Sequence, residues 1–411
     1  MASSETPPPP SPGTGGAVPL APALLGLLRF VLSSHLAAPD PALPLSPSYC
    51  SRLLLDDDDD DLLEKLAAGL ARCVEEGRLP VAAAAAEAGI PAGEAWSEER
   101  EREWEAVVLE KGNELKRMYD AVEFELHVQE PYFTQLRAGT KKVEGRLAAG
   151  NYNRIAEGSL LLFNKCLLLN VQVDNTLCQN NPSLSIIVES FVCLIFFQVI
   201  RKYASFSEML QAEMISEVLP GISSIEQGVG VYRKFYTEEK ESLYGVLAIS
   251  VSKPTAQPYI IMTELLAGLG SDGLGRLLGM VKTAGTVQDG LPPPRSVLIS
   301  SCMKLHQPNV NGCSLTDAAR AMAKHVHRSS DGWWGSFHGS DVKKNQLASE
   351  IIDRLLRECC WMNIHLTQPY GPVYEIRVHE GYGARWSQDG SKFIGFLEPY
   401  SPEGFSRGWK H

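Results

Sequence analysis

Residues 131–147, PYFTQLRAGTKKVEGRL, most constrain what this chain can fold into, because a glycine separates a helical pattern from a strand pattern. Phe133 and Leu136 are three residues apart, as on one face of a helix, so the segment before the glycine is predicted to be helical. Gly139 accepts the left-handed backbone conformation that ends many helices. Residues 142–147 are then predicted to form a strand.

This predicted strand carries a pattern of charges that suits ligand binding. Alternate strand residues share a face, so Lys142, Glu144 and Arg146 are expected to lie together. Two cations beside one anion hold each other in place and keep spare donors for a phosphate or a base edge. Alternatively, Glu144 and Arg146 form a salt bridge that only stabilises the sheet. Even then we expect Lys141, directly after the turn, to be free for a ligand.

The spacing Gly-x-Lys-x-x-Glu-x-Arg at Gly139, Lys141, Glu144 and Arg146 resembles the signature of the ASCH domain, a PUA-like β-barrel. A strand that precedes it, with apolar residues at 124, 126 and 128, fits the same pattern. The resemblance continues in three later stretches, Gly158 to Phe163, Tyr203 to Val218 and Tyr232 to Ile249. It covers residues 121–253, and departs from the family where Ser159 replaces the usual aspartate.

The resemblance implies binding of RNA or a modified nucleotide, in RNA processing or transcription coactivation. Tyr203 and Tyr232 are candidates for stacking on bases, although core packing is an equal alternative. The predicted RNA-binding residues are Gly139, Lys141, Lys142, Glu144, Arg146, Tyr203 and Tyr232. A non-catalytic scaffold for protein interactions is a further alternative.

A few small bacterial members of the family are amidohydrolases on acetylated nucleosides, and they use a lysine and, three residues on, a threonine. Lys141 matches the lysine, whereas Glu144 occupies the threonine position. A carboxylate cannot replace a hydroxyl in that role and would instead pair with a neighbouring cation. Lys141 and Glu144 are therefore catalytic candidates only if the protein is hydrolytic, and we expect binding rather than catalysis.

Residues 173–198 interrupt the expected strand that joins residues 167–172 to residues 199–206. The insert ends in Phe196, Phe197 and Gln198, which TTT-TTT-CAG can encode, and it begins with a valine, whose codons begin with GT. Its length keeps the reading frame open. We interpret the insert as a retained intron; a genuine loop or a membrane helix is the alternative. Its nearly uncharged apolar run predicts aggregation.

The flanking regions complete an α+β fold class, in which a PUA-like barrel lies between a helical N-terminal region and a C-terminal α+β domain. The predicted domains are a disordered Pro/Gly/Ser-rich tail at 1–18, a helical region at 19–115, the barrel at 121–253 and the C-terminal domain at 254–411. Asp56 to Asp61 are predicted to cap a helix that begins near Leu62, or to form a solvated acidic loop. Predicted C-terminal helices are residues 262–282, 315–327 and 343–358, and predicted strands are 297–300, 361–366, 374–378 and 383–386.

Composition restricts the partners and the compartment. A net charge of −11 argues against a broad, sequence-blind nucleic-acid binder. Basic residues nevertheless cluster in sequence around the motif, namely Lys141, Lys142, Arg146, Arg154, Lys165, Arg201 and Lys202, and predict selective, salt-sensitive binding. Nine cysteines without CxxC spacing fit a reducing compartment, the cytoplasm or the nucleus. No cofactor, metal or membrane is expected, and the N-terminal helices are candidate surfaces for protein partners.

Other side chains in the C-terminal region are weaker candidates for a metal, ligand or base-stacking site. His325 and His327, two apart at a helix end, do not share a face, so capping of the helix is favoured over a metal site. A tail that resembles the tail of plant ASCH proteins contributes candidate pocket residues, namely Arg385, Trp386, Asp389, Trp409 and His411. Stacking on a base is conceivable for Trp333 and Trp334, beside Arg328 and His338, but a buried aromatic cluster is favoured.

Overall fold

The protein was analysed as a computed structural model. It describes residues 19–55, 61–80, 96–155, 160–165, 192–252, 255–309, 312, 314–328 and 332–399. Several sequence predictions therefore lie outside the described residues, namely those on 1–18, 56–60, 158–159, 173–191, Trp409 and His411. The chain divides into two compact units, one of residues 1–31 and 111–264 and the other of residues 32–110 and 265–411.

Helices and strands are numbered in chain order. The helices are α1 Leu20–Ala37, α2 Pro47–Leu53, α3 Leu62–Glu76, α4 Glu98–Asp120, α5 Tyr132–Ala138, α6 Phe206–Ala212, α7 Ile215–Val218, α8 Ile225–Arg233, α9 Glu238–Tyr244, α10 Pro258–Leu277, α11 Arg295–Cys302, α12 Asp317–His325 and α13 Asp341–Glu358. The strands are β1 Val122–Val128, β2 Val143–Leu147, β3 Leu160–Lys165, β4 Val192–Tyr203, β5 Val246–Ser252, β6 Trp361–Thr367, β7 Gly371–Arg377, β8 Gly383–Ser387 and β9 Phe393–Leu397.

The first unit contains a five-stranded sheet in the order β1-β3-β4-β5-β2. β1 runs parallel to β3, and the other neighbours are antiparallel. The prediction of a closed β-barrel is wrong, because β1 and β2 are the two edges of an open sheet. Part of the outer edge of β2 has other partners: the Lys142 N–H donates to Glu217 O at 2.8 Å, and Lys141 Nζ donates to Val143 O.

The helix, turn and strand predicted around Gly139 are confirmed. α5 ends at Ala138, and Gly139 caps it with a φ of 74°, the left-handed region that glycine occupies without strain. Its N–H donates to the carbonyls of Gln135 and Leu136. β2 follows four residues later, so the turn brings the motif directly onto the sheet.

The two faces of this sheet bury different cores. Leu247 and Ile249 of β5 pack with β1, α5 and a 3-10 helix at Gly150–Arg154. Val246 and Ala248 pack on the opposite face with α6, α7 and α8. The helix expected over residues 208–218 is broken instead, because Met214 adopts a φ of 58° between α6 and α7.

The last residues of the proposed insert belong to a strand. Val192–Gln198 form the first part of β4 and pair with β3 from Asn164↔Val192 to Leu160↔Phe196. The pairing of β4 with β5 is irregular between Phe197 and Val199. This irregularity falls at the boundary that the sequence analysis placed between insert and domain, whereas the retained-intron interpretation itself stays a prediction.

The second unit contains an antiparallel sheet in the order β6-β7-β8-β9. Its apolar face, which includes Ile364, Ile376 and Trp386, packs in one core with residues of α11, α12 and α13. The C-terminal α+β prediction agrees with this arrangement. The strand predicted at residues 297–300 is wrong: it lies in α11, because Leu298 and Cys302 are spaced to bury one helical face after three prolines. β9 was missed.

The N-terminal helices also follow local sequence signals. Asp61 caps α3, and its side chain accepts hydrogen bonds from the N–H groups of Leu63 and Glu64. Among the described helices, α1 has the length and apolarity of a membrane span. However, Leu27 and Leu28 of α1 are completely buried in the protein, as in the core helix of a globular fold.

Candidate nucleic-acid interface

Lys141, Glu144 and Arg146 form one buried ionic cluster, here called the motif trio. Lys141 Nζ lies 3.1 Å from Glu144 Oε2, and Arg146 Nε lies 2.9 Å from Glu144 Oε1. Only 1% of the Lys141 side chain, 9% of Glu144 and 10% of Arg146 is exposed. Glu144 pairs with Ile249, and Arg146 pairs with Leu247, so both side chains enter the α5 side of the sheet.

Lys141 is held more tightly than the sequence suggested. Its ammonium donates to Val143 O at 2.8 Å and also to Val218 O, and it lies 5.5 Å from the centre of the Tyr132 ring. The expectation that Lys141 stays free for a ligand is wrong, because these acceptors and Glu144 surround it. Lys141 precedes β2, so the alternation of side chains along a strand does not fix its direction.

Burial and mutual attraction compete within the trio. Burial raises the pKa of Glu144, but the charges of Lys141 and Arg146 outweigh it and hold that pKa below its usual value. For Lys141, burial prevails and lowers the pKa, although Glu144 opposes the shift. The pKa of Arg146 is raised, because Glu144 outweighs its burial.

The exposed cations of this unit lie near the same strands. The Lys142 side chain is 58% exposed and pairs with Glu217 at 2.6 Å. Arg201 on β4 is also exposed and pairs with Glu213. Lys202, the next residue, donates to Asn153 Oδ1 at 3.4 Å, and Arg154 is exposed beside that asparagine. Lys141 and Arg146 are therefore buried, whereas Lys142, Arg154, Arg201 and Lys202 are exposed.

The two tyrosines proposed for stacking are already engaged. Tyr232 is buried and stacks on Phe206, with ring centres 4.1 Å apart. A Cβ at Gly145 would lie 2.4 Å from the Tyr232 hydroxyl, so the glycine makes room for this ring. The Tyr203 hydroxyl donates to Glu213 Oε1 at 2.6 Å. The structure therefore places Tyr232 in the core and Tyr203 in a polar contact with the partner of Arg201.

His325 and Trp334 lie in the core of the second unit. His325 Nδ1 contacts Glu398 Oε1, while His327, two residues on, is exposed. Trp334 is completely buried against Tyr382 and Phe396, as the favoured interpretation predicted. Within the part of the chain that the structure describes, no group of three or more potential metal ligands is found.

The residues that the C-terminal tail was predicted to contribute to a pocket do not lie together. Trp386 is buried, and its Nε1 donates to Leu298 O at 3.3 Å. Arg385, one residue earlier, lies on the opposite face of β8, where it contacts Glu375. Asp389 is exposed and caps its own turn by accepting from Ser387 Oγ. Arg385 and Trp386 therefore do not line one pocket.

Sequence reasoning missed the partners of Arg385. Glu375 also contacts His365 and Arg377, neither of which was singled out. Part of their signal was present in the sequence, because Glu375 and Arg377 occupy alternate positions in β7, as on one face of a sheet.

Comparison with known proteins identifies two regions of the chain. The model of the ASCH domain family matches residues 126–255, and the model of the CdiA C-terminal tRNase toxin domain matches residues 306–398. No curated protein matches.

Two solved structures are similar in sequence to part of the chain. Hypothetical protein PH0355 is 36% identical, with a TM-score of 0.24, and the match covers 32% of this chain and 97% of that protein. Protein PF0455 from Pyrococcus furiosus is 32% identical, with a TM-score of 0.23 and the same coverage of both chains.

Proposed function

This chain belongs to the ASCH family through residues 126–255, and on that premise we propose that it binds RNA or a nucleotide at this domain. At the family level an ASCH domain indicates RNA binding. The observation that supports a site at the motif is the exposed side chain of Lys142, which lies in the same segment as the buried trio. An exposed cation attracts an anion, and the phosphodiester backbone of RNA is one.

In this proposal the exposed cations make the direct contacts. Lys142 reaches the phosphates first, because its side chain is exposed and its partner Glu217 is a surface group that solvent screens. Arg154 and Lys202 are further exposed cations of this unit. Glu144 holds Lys141 and Arg146 in fixed positions, so the trio acts on RNA through the strand that it stabilises.

RNA binding by fluorescence anisotropy at several salt concentrations tests the proposal. Lys142→Ala removes an exposed ion pair, and we expect its stability to stay within about 1 kcal/mol of the parent. Losing one phosphate contact should lower the slope of log K against log salt by about 0.7 for single-stranded RNA. Lys343→Ala, an exposed lysine of α13, is the matched control and should leave the slope unchanged. An unchanged slope for Lys142→Ala would contradict the proposed contact.

A second activity, RNA cleavage by the C-terminal region, is supported by the match of residues 306–398 to a tRNase toxin domain model. A chain that joins an RNA-binding domain to an RNA-cleaving one fits a role in RNA processing better than in transcription coactivation. Incubation of the full-length protein with a tRNA pool and a mixed RNA pool, followed by gel analysis, tests this activity. Stable RNA in the presence of folded protein would contradict it.

Deacylation of modified nucleosides and a pure scaffold role have less support. A hydrolytic site at the motif would need Lys141 to act on a substrate, yet its ammonium contacts two carbonyl oxygens and Glu144. Partner proteins on the N-terminal helices remain a prediction. A scaffold would keep its protein interactions while RNA binding is absent, so the anisotropy experiment also separates these roles.

A further inference from the structure

The antiparallel sheet of the second unit carries an ionic cluster on the face opposite its apolar core. Asn363 of β6 pairs with Glu375 of β7, and Glu375 pairs with Arg385 of β8. Paired residues in an antiparallel sheet share a face. His365 and Arg377, each two residues from this row, lie on the same face. The neighbouring positions, such as Ile364, Ile376 and Trp386, enter the hydrophobic core instead.

Glu375 is the centre of the cluster. Its Oε2 lies 3.1 Å from His365 Nε2 and accepts from Arg385 Nε at 2.9 Å and from Arg385 Nη2 at 2.5 Å. Its Oε1 accepts from Arg377 Nε at 2.7 Å. Burial raises the pKa of this carboxyl, but His365, Arg377 and Arg385 together hold the pKa well below its usual range. Glu375 is therefore ionised and occupied, and is a poor proton acceptor.

The surroundings favour an anionic ligand. Two guanidinium groups against one carboxylate leave one positive charge when His365 is neutral. Arg377 and Arg385 are paired with Glu375, and Arg377 Nη1 also donates to Gly381 O and Glu398 O. Guanidinium groups match phosphate geometry. Trp361, beside His365 on β6, is buried and its Nε1 has no hydrogen-bond partner among the described residues.

His365 is the group of the cluster that can move a proton. Its side chain is 17% exposed, whereas that of Glu375 is 3% exposed. The carboxylate fixes the ring by accepting from a protonated Nε2, as carboxylates do for catalytic imidazoles. Nδ1 then carries the lone pair, and it makes no hydrogen bond to the residues that the structure describes.

We propose that this face is a ribonucleolytic centre, in which His365 transfers the proton, Arg377 and Arg385 bind the scissile phosphodiester, and Glu375 positions all three. The proposal rests on the RNA cleavage proposed above for residues 306–398. His365 Nδ1 accepts the proton of the ribose 2′-hydroxyl as the 2′-oxygen attacks phosphorus. The bond from phosphorus to the 5′-oxygen breaks, and the proton passes to that oxygen. The products are a 2′,3′-cyclic phosphate and a 5′-hydroxyl, so no co-reactant is needed.

A second histidine–glutamate pair in this unit provides a matched comparison. His325 contacts Glu398, and Arg328 lies 3.6 Å from the same carboxylate oxygen. However, this imidazole packs edge-on against Trp334 and Phe396 inside the hydrophobic core. A polyanion cannot reach it without opening that core, so the pair has a structural role.

Single-turnover cleavage of RNA by the full-length protein tests the site, with affinity measured in parallel by anisotropy. His365→Gln should lower the rate at saturating protein by about 100-fold or more, with little change in affinity. His325→Gln should cleave at the parent rate. Glu375→Gln should also lower the cleavage rate. Its affinity for RNA should stay the same or increase, because two guanidinium groups lose their anionic partner. A purely structural role for Glu375 would instead weaken binding and rate together.

A chemical rescue experiment tests the site even if the Glu375→Gln variant does not fold. His365→Ala with the thermal stability of the parent should regain cleavage when free imidazole is added. The product should end in a 2′,3′-cyclic phosphate, and RNA with a 2′-deoxyribose at the cleaved position should resist. Parent-like cleavage by His365→Gln would overturn this site but leave the proposed cleavage standing. No cleavage by the folded parent would overturn both.

Discussion

Glu144→Gln is expected to be one of the most damaging conservative substitutions in the first unit. It preserves the shape of the side chain but removes the only carboxylate that faces Lys141 and Arg146 in the trio. Removing one partner of a buried ion pair costs about 3–5 kcal/mol, because the remaining charge stays buried without compensation. That loss is a large share of the roughly 5–15 kcal/mol by which domains are stable.

Hydrogen exchange followed by mass spectrometry measures this effect where it acts. Amides of β2 and β5 exchange through opening of the sheet, so a loss of about 3 kcal/mol should speed the slowest of them by about 100-fold. Glu217→Gln is the matched control, because it removes the exposed partner of Lys142 and should change stability by about 1 kcal/mol or less. Equal exchange in Glu144→Gln and Glu217→Gln would refute the assignment of the trio as a buried ionic cluster.

The same substitution has a defined pH dependence. Glu144 has a lower pKa in the folded protein than its unfolded value of about 4.3, so the folded state holds this proton less readily. Its stabilising contribution is therefore complete above the unfolded pKa and is lost as pH falls through the folded pKa. The stability difference between parent and Glu144→Gln should shrink in acid. A difference that is constant from neutral pH to pH 3 would contradict this origin.

Three further predictions concern the chain around the sites. Gly139→Ala places a side chain at a φ of 74° and should destabilise the first unit by about 1 kcal/mol in urea unfolding, whereas a neutral effect would contradict the capping role. Asp61→Ala should cost about 1 kcal/mol in the same assay through loss of the α3 cap. Deletion of residues 173–198 should raise the soluble fraction in matched expression, and equal solubility would count against the insert as the source of aggregation.

Local sequence predicted the elements around the motif well. The spacing of Phe133 and Leu136, and the glycine after them, were sufficient to place α5, its left-handed cap and β2, since each depends on short-range geometry. The direction of Lys141 was not available from the same pattern. One of its acceptors, Val218 O, lies 77 residues away in sequence, and only the tertiary fold brings it there.

Features of the fold that depend on long-range contacts were harder to predict from the sequence. A short apolar run such as residues 297–300 does not distinguish a strand from one face of a helix, and the structure resolves it as α11. The sheet around the motif stays open because Lys141 and Glu217 occupy part of the edge of β2. Neither arrangement has a local signal.

The C-terminal cluster illustrates a different limit. His365, Glu375 and Arg385 lie on three strands, and each charge alone is typical of a solvated position. Their juxtaposition depends on the register of two strand pairs, which binary patterning constrains but does not fix. Reading the charged face of β6, β7 and β8 together would have selected the cluster from the sequence.

Ultraviolet cross-linking of the full-length protein to RNA, with mass spectrometric mapping of the linked peptides, tests the central claim most directly. The account predicts cross-links in peptides of residues 126–155, which carry the motif and Lys142, and these should weaken in the Lys142→Ala variant. Binding of RNA with cross-links elsewhere and none in residues 126–255 would contradict the claim that the ASCH domain is the RNA-binding part of this protein.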